Sequence, residues 1–195
     1  QHGAGSGIDI ATSWYGGVVL MQARPRWDLE IEQPGWPAGL HIRPVWTGVA
    51  ASTPAMLQQF NTFRQKSGQH YANLMVQFRS TLDRIQRHWR SSDIEALQTG
   101  LSDYAELLRE LDDGAAIGIW SDRHCKFQIL AKSLGVGYKP SGAGGGDFGL
   151  AFSAETAGLD RFIQEVHARW VPQTHGVDWS ADGLLINGRA VAQPV

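Results

Sequence analysis

Glycine decides where this chain can be regular. Of 23 glycines in 195 residues, seven fall in the fifteen positions from Gly135 to Gly149 and five in the first 17 residues. Inside a helix or strand a glycine costs about 0.5–1 kcal/mol relative to alanine, and it is at home where backbone turns sharply or approaches a ligand. Both clusters therefore mark loops. In Lys139-Pro-Ser-Gly-Ala-Gly-Gly-Gly-Asp-Phe-Gly149 the glycines let successive backbone N–H groups point into one concavity, which suits an anion. A flexible linker is the plain alternative, and the strand-like Leu150-Ala-Phe152 that follows at once argues against it. Gly144-x-Gly146-x-x-Gly149 satisfies the dinucleotide fingerprint in form, but no strand is expected before it and a strand rather than a helix is expected after it. No Walker A loop occurs.

The remaining composition narrows the function class. A chain of 195 residues with 43% apolar and 18% charged residues can bury a core and does not read as disordered. A net charge of −2 speaks against a general nucleic-acid surface or a polybasic membrane face. The eight tryptophans do not alternate with a basic stripe, so they fit core and cleft walls better than base stacking. The longest apolar run, Val18–Met21, is far too short to span a bilayer. Cys125 is the sole cysteine, which excludes an internal disulfide and a cysteine-rich zinc site. It is expected as an inert thiol, with His124 pointing elsewhere on the same helix. The seven histidines show no metal-ligand spacing.

Periodicity sorts the elements. A short helix is expected around Ile8–Ser13 and strands at Val18–Ala23, Leu29–Ile31 and Leu40–Trp46. Thr53-Pro54 reads as a helix cap followed by proline at the first helical position. Tyr71, Leu74, Met75, Phe78, Leu82, Ile85 and Trp89 form a helical stripe. Ser92 with Glu95 has the capping-box pattern before a helix running through Leu111. A further helix is expected at Ser121–Leu134, a strand at Phe148–Phe152 and a last helix from Leu159 to Trp170. Asp182-Gly183 and Asn187-Gly188 are hairpin signals. The shift near Ser52 from strand and loop to helix is the best domain boundary, and the class is α+β.

The second glycine cluster, Gly3-Ala-Gly-Ser-Gly-Ile-Asp9-Ile-Ala-Thr-Ser13, places Asp9 near a helix N-terminus, where the macrodipole favours a carboxylate. Alone it reads as an ordinary cap. With the anion cradle downstream it becomes complementary: an acidic group and a phosphate loop are the parts of a phosphoryl-transfer site.

These residues also carry a resemblance. Gly5-Ser-Gly-Ile-Asp-Ile-Ala-Thr-Ser-Trp-Tyr-Gly-Gly17 resembles the segment of GHMP-type small-molecule kinases that holds the catalytic aspartate, and Lys139–Phe152 resembles their third, glycine-rich motif. Between them Val45-Trp-Thr-Gly-Val-Ala-Ala-Ser-Thr53, together with Asp147 in place of a glycine, is similar to the phosphomevalonate kinase branch.

The resemblance implies the end of a ribosomal-protein-S5-like kinase domain over residues 1–52, followed by a GHMP-kinase C-terminal domain over 53–195, a small antiparallel sheet packed with helices. It implies ATP and Mg²⁺ as cofactors, a phosphorylated small acid as acceptor, a cytoplasmic location, and no nucleic-acid or membrane partner. Asp9 would take the catalytic role. Ser6, Ser141, Lys139 and Asp147 would contact substrate, and Gly142, Ala143, Gly144, Gly145 and Gly146 the phosphates. Arg24, Arg26 and Arg43 are weaker cationic candidates. Like Lys139, each reads first as a solvated surface charge. The family's Gly-Leu-Gly-Ser-Ser-Ala-type nucleotide motif is not among these residues. The expectation is therefore a missing N-terminal segment or a second chain, with these 195 residues inactive alone. A sister mevalonate or sugar kinase, or a non-catalytic module retaining the fold, are the alternatives.

Overall fold

A computed structural model describes residues 6–23, 29–170, 183–186 and 189–190. The chain divides into two compact units, one of Gln1–Trp36 with Gly176–Val195 and a larger one of Pro37–His175.

In the smaller unit α1 (Ile8–Tyr15) begins after Gly7 and ends at Gly16, both with positive φ. An antiparallel hairpin follows, β1 (Leu20–Ala23) with β2 (Leu29–Glu32). The Trp14 carbonyl accepts from the Leu184 N–H at 3.1 Å. Beside it β6 (Leu185–Ile186) and β7 (Arg189–Ala190) pair antiparallel, as the hairpin signal at the tail anticipates. Arg24, Arg26, Asp182, Asn187 and Gly188 lie outside the described residues.

The larger unit is built on a three-stranded antiparallel sheet in the order β3 (His41–Trp46), β5 (Phe148–Ser153), β4 (Gly137–Pro140). Around it stand α2 (Thr53–Lys66), α3 (Gly68–Ser91), α4 (Ile94–Ala115), α5 (Asp122–Ser133) and α6 (Thr156–Arg169). Alternation along the strands divides their side chains between two layers. Tyr138 and its cross-strand neighbour Ala151 face α5 and α6, where the Tyr138 ring meets Phe127 and Phe162 at 6.0 Å each. Ile42 and its neighbour Phe152 face the opposite way and bury Leu97 of α4. The stripe on α3 packs Leu74 and Phe78 against α4, with Phe78 edge-on to Tyr104 at 5.3 Å. Among the described residues no helix is long and apolar enough to cross a membrane.

Four local expectations shift. β3, which the reading at Ser52 places in a first domain, pairs with β5 along its whole length and belongs to the larger unit. The change at Ser52 marks strand giving way to helix, and long-range pairing leaves no trace in local composition. A strand, β4, does precede the glycine loop; its Gly137 and Pro140 hide it from propensity. The loop therefore joins two antiparallel strands, a setting unlike the strand-to-helix turn of a dinucleotide site. Ser92 is the left-handed C-cap of α3, and Asp93 caps α4 by accepting from the Ala96 N–H at 3.2 Å. Thr53 is already helical, preceded by Ser52.

Candidate functional site

The loop from Ser141 to Asp147 is closed at its neck by the Ser141 N–H on the Phe148 carbonyl at 2.9 Å. Gly142, Gly144 and Gly145 hold φ of +63°, +76° and +74°, the left-handed region where a side chain is strained. Two of the five expected amide donors are committed internally: Gly144 to the Ser141 carbonyl at 3.3 Å and Gly145 to the Ile119 carbonyl at 2.8 Å. The N–H groups of Gly142, Ala143 and Gly146 have no acceptor among the described residues. The cradle is therefore narrower than the sequence suggests.

Gly146 lies flush against the Val49–Ala51 segment, where a Cβ would come within 2.5 Å of the Val49 carbonyl oxygen. Asp147 stitches the two together. Its N–H donates to the Val49 carbonyl at 2.7 Å, its carbonyl accepts from the Thr47 N–H at 2.8 Å, and its Oδ1 accepts from the Ala51 N–H at 3.3 Å. The fully buried Thr47 braces that segment, its Oγ1 donating to the Val49 carbonyl at 3.1 Å. Two motifs about 95 residues apart in sequence thus become one surface. Asp147 adopts φ +51° to make these bonds, so its carboxylate serves the backbone.

The loop rests on residues 118–124. A Cβ on Gly145 would lie 3.1 Å from the Gly118 carbonyl oxygen, and Gly144 packs on Ile119. Below, buried His124 sits with Nε2 3.0 Å from the Gly146 carbonyl oxygen and Nδ1 2.7 Å from the Tyr138 hydroxyl. Burial pulls the His124 pKa below its ordinary value, and Lys139 pulls the same way; the Gly146 bond and Asp147 oppose them. Burial pushes the Tyr138 phenol up. At the start of α5, Trp120 Nε1, Ser121 Oγ and Arg123 Nη1 are buried with no hydrogen-bond partner among the described residues. All three can donate, so this stretch offers donors in excess of acceptors next to the loop.

No family model matches the chain. It is 28% identical over 194 residues to the phosphomevalonate kinase of Streptomyces sp. (strain CL190), an alignment covering 89% of this chain and 50% of that protein. Among solved structures it superimposes with TM-score 0.78 on the Lin0012 protein from Listeria innocua, at 25% identity over 84% of this chain and 52% of that one. The L. major mevalonate kinase, in complex with R-mevalonate, gives 0.75 at 20% identity, covering 87% and 50%. The Streptococcus pneumoniae phosphomevalonate kinase, in complex with phosphomevalonate and AMPPNP, gives 0.60 at 21%, covering 72% and 40%. In sequence the chain is similar to the Streptomyces phosphomevalonate kinase, and its fold is that of the GHMP-type kinases on which it superimposes. It spans about half the length of the relatives it matches.

In this GHMP-kinase fold the other expected site residues take distinct places. Lys139 leaves β4 on the face opposite Tyr138, donates from Nζ to the Pro140 carbonyl at 2.7 Å and lies 5.6 Å from the Tyr104 ring centroid of α4. Burial lowers its pKa to about 8, so it is mostly cationic at neutral pH, and it is not the solvated surface charge first expected. Ser141 contributes the backbone bonds at the neck. In the smaller unit Asp9 stands exposed in the first turn of α1, and the Ser6 Oγ accepts from the Ile8 N–H at 3.4 Å. Arg43 pairs with Asp160 at 3.8 Å, a half-exposed bridge to α6. Cys125 lies half-buried with its Sγ 3.7 Å from the Trp120 carbonyl. Among the described residues no group of three or more His, Cys, Asp or Glu could hold a metal ion. The sequence reading places His124 only as a neighbour of Cys125 and Thr47 only as part of the Val45–Thr53 motif, and it passes over Tyr138. One signal was present: His124, Phe127 and Ala131 recur at helical spacing and form the buried face of α5.

Proposed function

We propose that this chain belongs to an ATP-dependent phosphotransferase of the mevalonate-pathway type whose acceptor is a phosphorylated small acid such as phosphomevalonate. The observation that supports it most is the stitched pair of motifs. Asp147 binds the Thr47–Ala51 segment to the glycine loop, and the Gly142, Ala143 and Gly146 amides remain without an internal acceptor. The similarity to the Streptomyces enzyme points to the same branch.

In this reading the amides, with Ser141 and the donors at the start of α5, receive phosphate oxygens. Lys139 adds a cation close beneath. Asp9 and Ser6 are assigned to the acceptor by their motif alone. A phosphate monoester has a second pKa of about 6, so at pH 7 the acceptor is largely ionised. Asp9 then acts by positioning more than by removing a proton, in contrast to a kinase whose acceptor is a hydroxyl. Mg²⁺ would enter with the ATP phosphates and neutralise their charge. The smaller unit is read as the end of the first kinase domain and the larger one, Pro37–His175, as the C-terminal domain. The location is read as cytoplasmic. Polypeptide beyond these residues would complete the nucleotide site, so the 195 residues should bind the acceptor without turning over ATP.

The test is ADP release by the native polypeptide, offered ATP–Mg²⁺ with phosphomevalonate and with mevalonate in parallel. Turnover of the former alone supports the branch. The higher TM-score to the mevalonate kinase favours a sister enzyme as second reading, and turnover of mevalonate alone would establish that instead. No turnover with either would leave a binding module.

A further inference from the structure

Phosphoryl transfer as described leaves one buried group without a task. His124 is fully enclosed and touches the loop from below. At 3.0 Å from Nε2 the Gly146 carbonyl can only accept, so Nε2 carries the proton. A neutral ring then has a bare Nδ1, and the Tyr138 hydroxyl, 2.7 Å away, donates to it. The relay runs from β4 through α5 to the loop. Its last member is one edge of a peptide plane whose other edge, the Asp147 N–H, is held by the Val49 carbonyl at 2.7 Å. That plane is therefore gripped from both sides, and the Gly146 N–H before it has its direction set.

We infer that His124 is the positioning residue of the glycine loop: its Nε2–H pins the Gly146 carbonyl, and the Tyr138 hydroxyl on Nδ1 holds the ring in that tautomer. An imidazolium would keep its Nε2–H on Gly146 and present a second N–H to the Tyr138 hydroxyl, whose own proton would then need another acceptor beside the rings of Phe127 and Phe162, so protonation disturbs the Tyr138 end of the relay. The titratable groups around the ring are Tyr138 and Lys139 from β4 and Asp147 from the loop, with the Trp120 ring 6.5 Å off. The consequence for anion binding rests on the phosphate-loop reading above; the relay itself does not.

The test is ¹⁵N-edited NMR on the full 195-residue chain. The expected spectrum at pH 7.5 shows His124 neutral with the proton on Nε2. On acidification the Gly146 and Asp147 amide resonances move with the His124 ring. In Tyr138→Phe the ring titrates at higher pH, because the hydroxyl that favours the neutral form is gone. His124→Gln, which can still donate to Gly146, keeps the loop resonances near their wild-type places and abolishes their pH response. Sulfate, whose charge is constant over this range, is the binding probe. Its affinity should fall severalfold in His124→Ala, which cannot donate to the Gly146 carbonyl, and stay near the wild-type value in His124→Gln. A proton on Nδ1, or loop resonances indifferent to the His124 titration, overturns the inference. Intact relay signatures with no sulfate binding support the positioning role and count against the phosphate-loop reading.

Discussion

Lys139 offers a direct test of whether the site holds a cation against the interest of folding. Its ammonium is drawn from an ordinary pKa of 10.5 to about 8, with burial as the cause. A shift of that size corresponds to roughly 3 kcal/mol against the charged form at neutral pH. The Pro140 carbonyl and the Tyr104 ring are its partners. Lys139→Met keeps the apolar stem, removes the charge and leaves the Pro140 carbonyl without its donor. The net expectation is a gain of about 1–3 kcal/mol at pH 7, the carbonyl's loss taking back about 1 kcal/mol. The assay is urea unfolding at pH 7 and again near pH 10. With the folded pKa below the unfolded one, the unfolded chain holds more protons between the two values, so wild-type stability rises with pH across that window. The gap between variant and wild type should therefore close from about pH 8 upward. A variant less stable than wild type at pH 7, or a gap that ignores pH, would refute the reasoning.

Other outcomes follow from the same geometry. Gly146→Ala drives a Cβ into the Val49 carbonyl and should cost about 1–3 kcal/mol by overpacking, read by denaturation; wild-type stability would mean the segment yields freely. Phe127→Ala empties the fully buried contact with Tyr138 and Phe162 and should cost about 3–5 kcal/mol, visible as a lowered Tm. Because His124 is held neutral with a lowered pKa, wild-type stability should fall as pH drops below about 6.5, by up to ~1.4 kcal/mol per pH unit until its folded pKa is reached; His124→Gln should remove that slope.

Local chemistry made much of this legible. The α3 stripe announced its helix because apolar residues at a 3.6-residue period leave no other way to bury one face. The glycine loop announced itself because its run of left-handed positions tolerates little else. What escaped was non-local. The partnership of His124 with Gly146, 22 positions on, and that of Asp147 with Ala51, 96 positions back, depend on how the β4–β5 hairpin lies over α5 and beside β3. No window of sequence contains both ends. Asp147 shows the same limit: the Ala51 amide that its carboxylate caps lies outside any window that reads it as a substrate contact. The shift from Ser92 to Asp93 as the cap of α4 is subtler. Both are good caps, and the left-handed turn that ends α3 at Ser92 decides between them.

In the proposed function the phosphate of a small acid sits on the glycine loop beside the Thr47–Ala51 segment. Amide shift mapping of the 195-residue chain against phosphomevalonate tests it most directly. Gly142, Ala143 and Gly146 should move first and saturate together, with Gly144 and Gly145, already bonded inside the protein, moving less. Saturating shifts confined to another face, with the loop resonances still, would contradict it.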